Sequence, residues 1–80
     1  MASPHAVAIT LSAADRETLE GWRRHRKTAQ GLAMRARIVL ACAEAGTTND
    51  AVAKALGVSR PTVATWRRRF AERGPDGLRR

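Results

Sequence analysis

Apolar residues recur along this chain at helical spacing, and no stretch alternates as a half-buried strand would, so the pattern predicts an all-α protein. Four segments carry it. Ser12 is a good N-cap, with Asp15 three residues on as a partial capping box, and opens a helix from about Ala13 to Arg24. Its apolar face is thin: Leu19 and Trp22, with Leu11 at the entrance, are its large anchors, which places it on the outside of a bundle. Trp22 beside Leu19 reads as a packing residue rather than a base-stacking one.

The second segment is apolar on two sides. Thr28 is placed to cap a helix from about Ala29 to Ala45, closed by Gly46 in a left-handed conformation. Leu32, Ala36, Val39, Leu40 and Ala43 share one side, while Met34, Ile38, Ala41 and Ala45 fall nearly opposite, with Arg35, Arg37 and Glu44 between. A helix with two apolar stripes is covered from two sides. It is therefore expected to be the central post, with the first helix on one stripe and the third and fourth helices on the other.

Residues 48–70 have the grammar of a helix-turn-helix. Thr48 caps a helix that ends at Leu56, with Asp50 in its first turn where a negative charge suits the dipole. Val52 and Leu56 point inward, Ala53 is the small residue at the crossing, and Gly57 makes the turn where a left-handed backbone costs glycine little. Ser59 caps the fourth helix and Pro61 sits in its first turn, where the missing N–H is not needed. Val58, Val63, Trp66 and Phe70 close the wedge. Gly74 stops this helix, Gly74-Pro75-Asp76-Gly77 is a turn sequence, and Leu78 is placed to fold back onto the core.

Charge adds a partner to this picture. The formal charge is +8 over 80 residues, and it is uneven: residues 51–80 carry eight Lys or Arg against two acids, residues 1–50 seven against five. A polyanion is the natural partner of such a surface, and with no long apolar face beside it, nucleic acid fits better than a membrane. Eighty residues form one small domain that buries about 60 % of its unfolded surface, which leaves no room for a large active-site cleft. The seven acids show no strand-borne arrangement that would hold two metals. Cys42 reads as a small helix residue, and His5 and His25 lack further ligands, so neither a metal nor another cofactor is expected. The first nine residues lack a signal peptide's basic start and long apolar run, and nothing later approaches a membrane span.

The fourth helix tells where DNA would lie. Winding residues 59–72 helically puts Val63, Trp66 and Phe70 on the buried side and Pro61, Ala64, Thr65 and Arg68 opposite, with Arg60 at the N-terminal shoulder. Small residues at the centre of that face let the helix enter a major groove, and long donors reach base edges. Arg60, Pro61, Ala64, Thr65 and Arg68 are thus expected to face bases. Arg67 and Arg69 on the flanks, with Thr48, Ser59 and Thr62 at the caps, are expected to face phosphates. A solvated basic helix end is the plainer reading of the same arginines, but the turn grammar and the charge placement are independent signals for DNA.

With these residues in place the chain resembles the N-terminal DNA-binding region of bacterial insertion-sequence transposases related to the mariner superfamily. The matching stretches are Leu11-Ser12, Arg35-Ala36-Arg37-Ile38-Val39-Leu40, Ala53-x-x-Leu56-Gly57-Val58-Ser59, Val63-x-x-Trp66-Arg67-x-Arg69-Phe70 and Gly74-x-x-Gly77-Leu78, together covering residues 11–78. The Arg-rich second helix and the Gly-x-x-Gly-Leu ending carry most of the specificity. The resemblance implies recognition of terminal inverted repeats, with a linker, further DNA-binding structure and a catalytic domain to follow. The 80 residues hold no counterpart of that catalytic domain.

The expectation is then a small all-α bundle of about four helices with a homeodomain-like helix-turn-helix. Residues 1–10 are a flexible lead, 11–78 the DNA-binding domain, and 79–80 the start of a linker. The function is non-enzymatic, sequence-specific binding of double-stranded DNA in the bacterial cytoplasm, at the nucleoid. One module of this size reads only a few base pairs, so useful specificity calls for a homodimer or a second module. A free-standing transcriptional regulator is an alternative in the same class, and a protein-interaction module whose basic helix meets an acidic partner is one in another class.

Overall fold

Three of the four helices begin where a hydroxyl caps free backbone amides. In the computed structural model, which describes residues 9–25, 27–44 and 47–79, α1 spans Ala13–Arg24, α2 Gln30–Cys42, α3 Asn49–Leu56 and α4 Arg60–Arg73, followed by a 3₁₀ turn at Gly74–Leu78. Ser12 Oγ accepts from the Asp15 amide at 3.0 Å, Thr48 Oγ1 from the Ala51 amide at 3.1 Å, and Ser59 Oγ from the Thr62 amide at 3.2 Å. Each bond satisfies a donor that helix geometry leaves without an internal partner, and is worth about 1 kcal/mol.

The start of α2 differs from expectation. Its N-cap is Ala29, which offers no side-chain bond, and the Thr28 amide just before it donates to the His25 carbonyl at 3.1 Å. The helix also stops at Cys42, before the expected Ala45, as the Glu44 amide tightens onto the Ala41 carbonyl. The expected ending at Ala45 and Gly46 lies outside the described residues, as do residues 1–8 of the lead and Arg80 of the linker. Ile9, assigned to that lead, is half-buried against the core.

α2 is the post around which two cores form. Leu19, Ala36, Val39, Leu40, Phe70 and Leu78 make one buried cluster, with Leu11, Trp22 and Leu32 packed on it. Ile38, Cys42, Val52, Ala53 and Val63 make the other, joined by Met34, Ala41, Leu56 and Val58. The two stripes of α2 therefore divide the molecule: α1 takes one, and α3 with the first half of α4 takes the other. Phe70 and Leu78 cross to the α1 side, so α4 is shared between both clusters. Gly57 ends α3 in the left-handed region at φ 72°, with its amide bonded to Ala53, and this bend sets α4 across α3.

Two further glycines, Gly74 and Gly77, shape the turn after α4. Gly74 leaves α4 at φ 66° and ψ −152°, a backbone region essentially reserved for glycine. Gly77 is buried, and a Cβ there would run into the Arg69 carbonyl. With that approach made, Leu78 is fully buried, and its carbonyl accepts from Arg35 Nη1 at 2.9 Å.

Candidate nucleic-acid interface

At about 3.6 residues per turn, α4 separates its side chains into distinct faces. Val63, Arg67 and Phe70 are buried, Thr62, Thr65 and Trp66 half-buried, and Arg60, Pro61, Ala64, Arg68, Arg69 and Glu72 exposed. Of the five residues expected to face bases, Arg60, Pro61, Ala64 and Arg68 lie on the uncovered side and Thr65 at its half-covered margin. The first turn of α3 stands beside this face. Thr48, Asn49 and Asp50 form one wall of an open groove whose other wall is Arg60, Pro61 and Ala64. From the sequence Asp50 has only a helix-dipole role and Asn49 none, since the crossing of α3 and α4 is what brings them to this groove. The hydroxyls of Thr48 and Ser59 hold the caps, and Ser59 Oγ also lies 2.8 Å from Thr62 Oγ1. Asp50 is 3.6 Å from Lys54 on the same helix, a well-exposed pair that contributes little to stability.

The phosphate role expected of Arg67 is corrected by its position. Only 4 % of the residue is exposed, and its guanidinium is spent inside the fold: Nη1 donates to Asn49 Oδ1 at 2.6 Å, and Nη2 to the carbonyls of Cys42 at 3.0 Å and Thr47 at 3.2 Å. Nε is buried too and finds no partner among the described residues. The signal for this was present in the spacing, because position 67 is four residues after Val63 and three before Phe70, in the middle of the buried stripe. Polarity argued for the flank and periodicity for the core; the three acceptors, all outside α4, let periodicity win.

Rotation of the buried stripe toward Arg67 moves Trp66 to its edge. Trp66 remains structural, half-buried against both clusters, and two guanidinium groups lie over its ring: Arg35 at 4.2 Å and Arg69 at 5.1 Å from the centroid. Arg69 is exposed in total but leans onto the ring, so its charge is carried at the α2 side of α4. Helical spacing places Arg35 between the two stripes, and it belongs to the Arg-rich stretch of the family resemblance, but neither gives its contacts. No local signal marks those contacts, since its partners Trp66 and Leu78 lie far along the chain.

The electrostatics of the interior are simple. Burial pushes the Cys42 thiol above its ordinary value, and the nearby Arg67 charge works against that shift. Among the described residues no three of His, Cys, Asp and Glu stand close enough to hold a metal ion. Among the same residues no helix is long and apolar enough to cross a membrane.

Neither among curated proteins nor among solved structures does any match this chain significantly. A family model does: the one described as a homeodomain-like domain matches residues 29–79, which takes in α2, both helices of the helix-turn-helix and the closing turn. With that match over more than half its length, and with α3 and α4 joined at Gly57 as the motif requires, the chain belongs to the homeodomain-like domain family.

Proposed function

We propose that this protein binds double-stranded DNA sequence-specifically, with α4 in the major groove and the first turn of α3 against the backbone. The observation that carries this reading is the uncovered side of α4. It combines two small residues, Pro61 and Ala64, with two long donors, Arg60 and Arg68, and the fold leaves it unused while burying the opposite side. Small residues allow close approach, and arginine matches the paired acceptors of guanine bidentately. Thr65 at the margin suits a thymine methyl. Thr48, Ser59, Thr62 and Arg69 are left to meet phosphates. Selection from a randomised duplex pool, followed by titration against enriched and unrelated duplexes at several salt concentrations, tests the proposal. A preference for the enriched duplex supports it, and equal affinity for both at every salt refutes sequence-specific binding.

The finer reading is a transposase-derived module that recognises terminal inverted repeats. In its support, two of the stretches that carry the resemblance act as one structural unit, since Arg35 of the Arg-rich helix bonds the carbonyl of Leu78 in the Gly-x-x-Gly-Leu ending. One such domain covers few base pairs, so a dimer or a second module would complete the site. Footprinting separates the choices: protection of inverted repeats flanking a mobile element supports this reading, and protection of a promoter supports a regulator instead.

A further inference from the structure

We infer that Arg67 is a positioning residue for DNA recognition: by holding Asn49 it sets the wall of the groove that faces Arg60, Pro61 and Ala64. The inference rests on the DNA-binding reading above and gives a role to a side chain that this reading leaves without one.

The argument begins with what occupies the core. Position 67 lies in the buried stripe between Val63 and Phe70, where an apolar side chain of similar length would pack without desolvating a charge. Removing the guanidinium alone would take the donor from the Cys42 and Thr47 carbonyls and the Asn49 amide oxygen, so Arg67 contributes to stability through them. What it also supplies is direction. A guanidinium is a planar fork with fixed donor angles, and here it spans three separate parts of the chain: the last turn of α2 through the Cys42 carbonyl, the connection through the Thr47 carbonyl, and α3 through the Asn49 side chain. Asn49 is the first residue of α3 and stands in the groove wall beside Thr48 and Asp50. Its bond to Arg67, at 2.6 Å, is the shortest of the three.

This matters because α3 is short, eight residues. Gly57 fixes the C-terminal end of α3 against α4. Arg67 fixes the N-terminal end, so the angle between the two helices at the groove is held from both sides. A lysine cannot reproduce this, since one ammonium on a flexible stem does not fork toward three acceptors. Loss of the pin lets the first turn of α3 shift relative to the base-facing side of α4, and a shift there alters discrimination between sequences more than attraction to phosphate, which depends on exposed charge.

The experiment uses the full chain with Arg67→Met, Arg67→Lys, Asn49→Ala and the Arg67→Met/Asn49→Ala pair. The probes are the duplex enriched by the parent chain from a randomised pool and a duplex of unrelated sequence. Thermal melting by circular dichroism is expected to show Arg67→Met folded, with a midpoint below that of the parent. Its preference for the enriched duplex is expected to fall about tenfold, the size of a typical coupling between contacting residues, with affinity for the unrelated duplex and the salt slope unchanged. Asn49→Ala is expected to do the same, Arg67→Lys to fail to rescue, and the pair to lose no more than either single variant. Unchanged preference in Arg67→Met overturns the inference, as does a uniform loss of affinity with a shallower salt slope, which would mean that Arg67 touches phosphate. If Arg67→Met does not fold, Asn49→Ala decides alone, and full preference in that variant overturns it. If the parent chain shows no preference for any duplex, the DNA-binding reading itself fails and the inference falls with it.

Discussion

The carbonyl of Arg69 occupies the place where any side chain on Gly77 would begin. This contact lets the 3₁₀ turn lie against α4 and delivers Leu78, fully buried, to the cluster formed by Leu19, Ala36, Val39, Leu40 and Phe70. Gly77→Ala is expected to cost about 1 to 3 kcal/mol, as overpacking a tight site does. Leu78→Ala should cost about 2 to 5 kcal/mol through lost burial and the cavity left behind. Urea melts give both values, and an unchanged midpoint for Gly77→Ala would show that the turn does not dock on α4.

Arg67→Ala differs from Arg67→Met in what it leaves behind. Truncation to alanine removes the Arg67 donor from the carbonyls of Cys42 and Thr47 and from the Asn49 amide oxygen and opens a void, with about 1 to 3 kcal/mol expected for each acceptor that water cannot reach. Methionine refills the void but carries no donor, so both variants should melt below the parent, alanine further by the cost of its cavity. Equal stability of the two variants would show that the space left by alanine collapses or fills with water.

The arginines of α4 should separate by what they touch. Arg60→Ala and Arg68→Ala are expected to cost about 1 to 3 kcal/mol on the preferred duplex and to relax discrimination. Arg69→Ala is expected to weaken all duplexes alike and to lower the slope of log K against log salt by about one. Should Arg69 control specificity and Arg68 act uniformly, α4 is rotated in the groove toward its Trp66 side.

Cys42 gives a pH dependence with a definite sign. Its folded thiol holds the proton more tightly than the unfolded one, because burial disfavours the thiolate. Below the ordinary thiol range both states are protonated and nothing is lost. As the pH rises through that range the unfolded chain releases its proton first, so stability falls until the folded thiol ionises as well. Urea melts from about pH 7 to about pH 10 should show this decline in the parent and a shallower one in Cys42→Ala. Parallel curves would mean that the thiol does not contribute.

What depends on neighbours within one helical turn is legible in the order of residues alone. Ser12, Thr48 and Ser59 cap their helices through amides three residues ahead, and Gly57 turns the chain through a bond to Ala53, so all four were legible from residue type and offset. The two stripes of α2 were legible for a similar reason, since helical spacing fixes which residues share a side whatever lies against it. Thr28 shows the limit of such reading: the helix begins one residue later than expected, behind Ala29, which offers no side-chain cap, while the Thr28 amide donates to the His25 carbonyl. Only the tertiary structure decided the places of Arg35 and Arg67. Each is a long cation that solvent would accept, and each is drawn inward by acceptors that other elements supply: Leu78 to Arg35 from 43 residues away, and Cys42, Thr47 and Asn49 to Arg67 from 25, 20 and 18. A charge goes inside when the fold gathers enough oxygen atoms around it to replace water, and that gathering is set by how the helices cross.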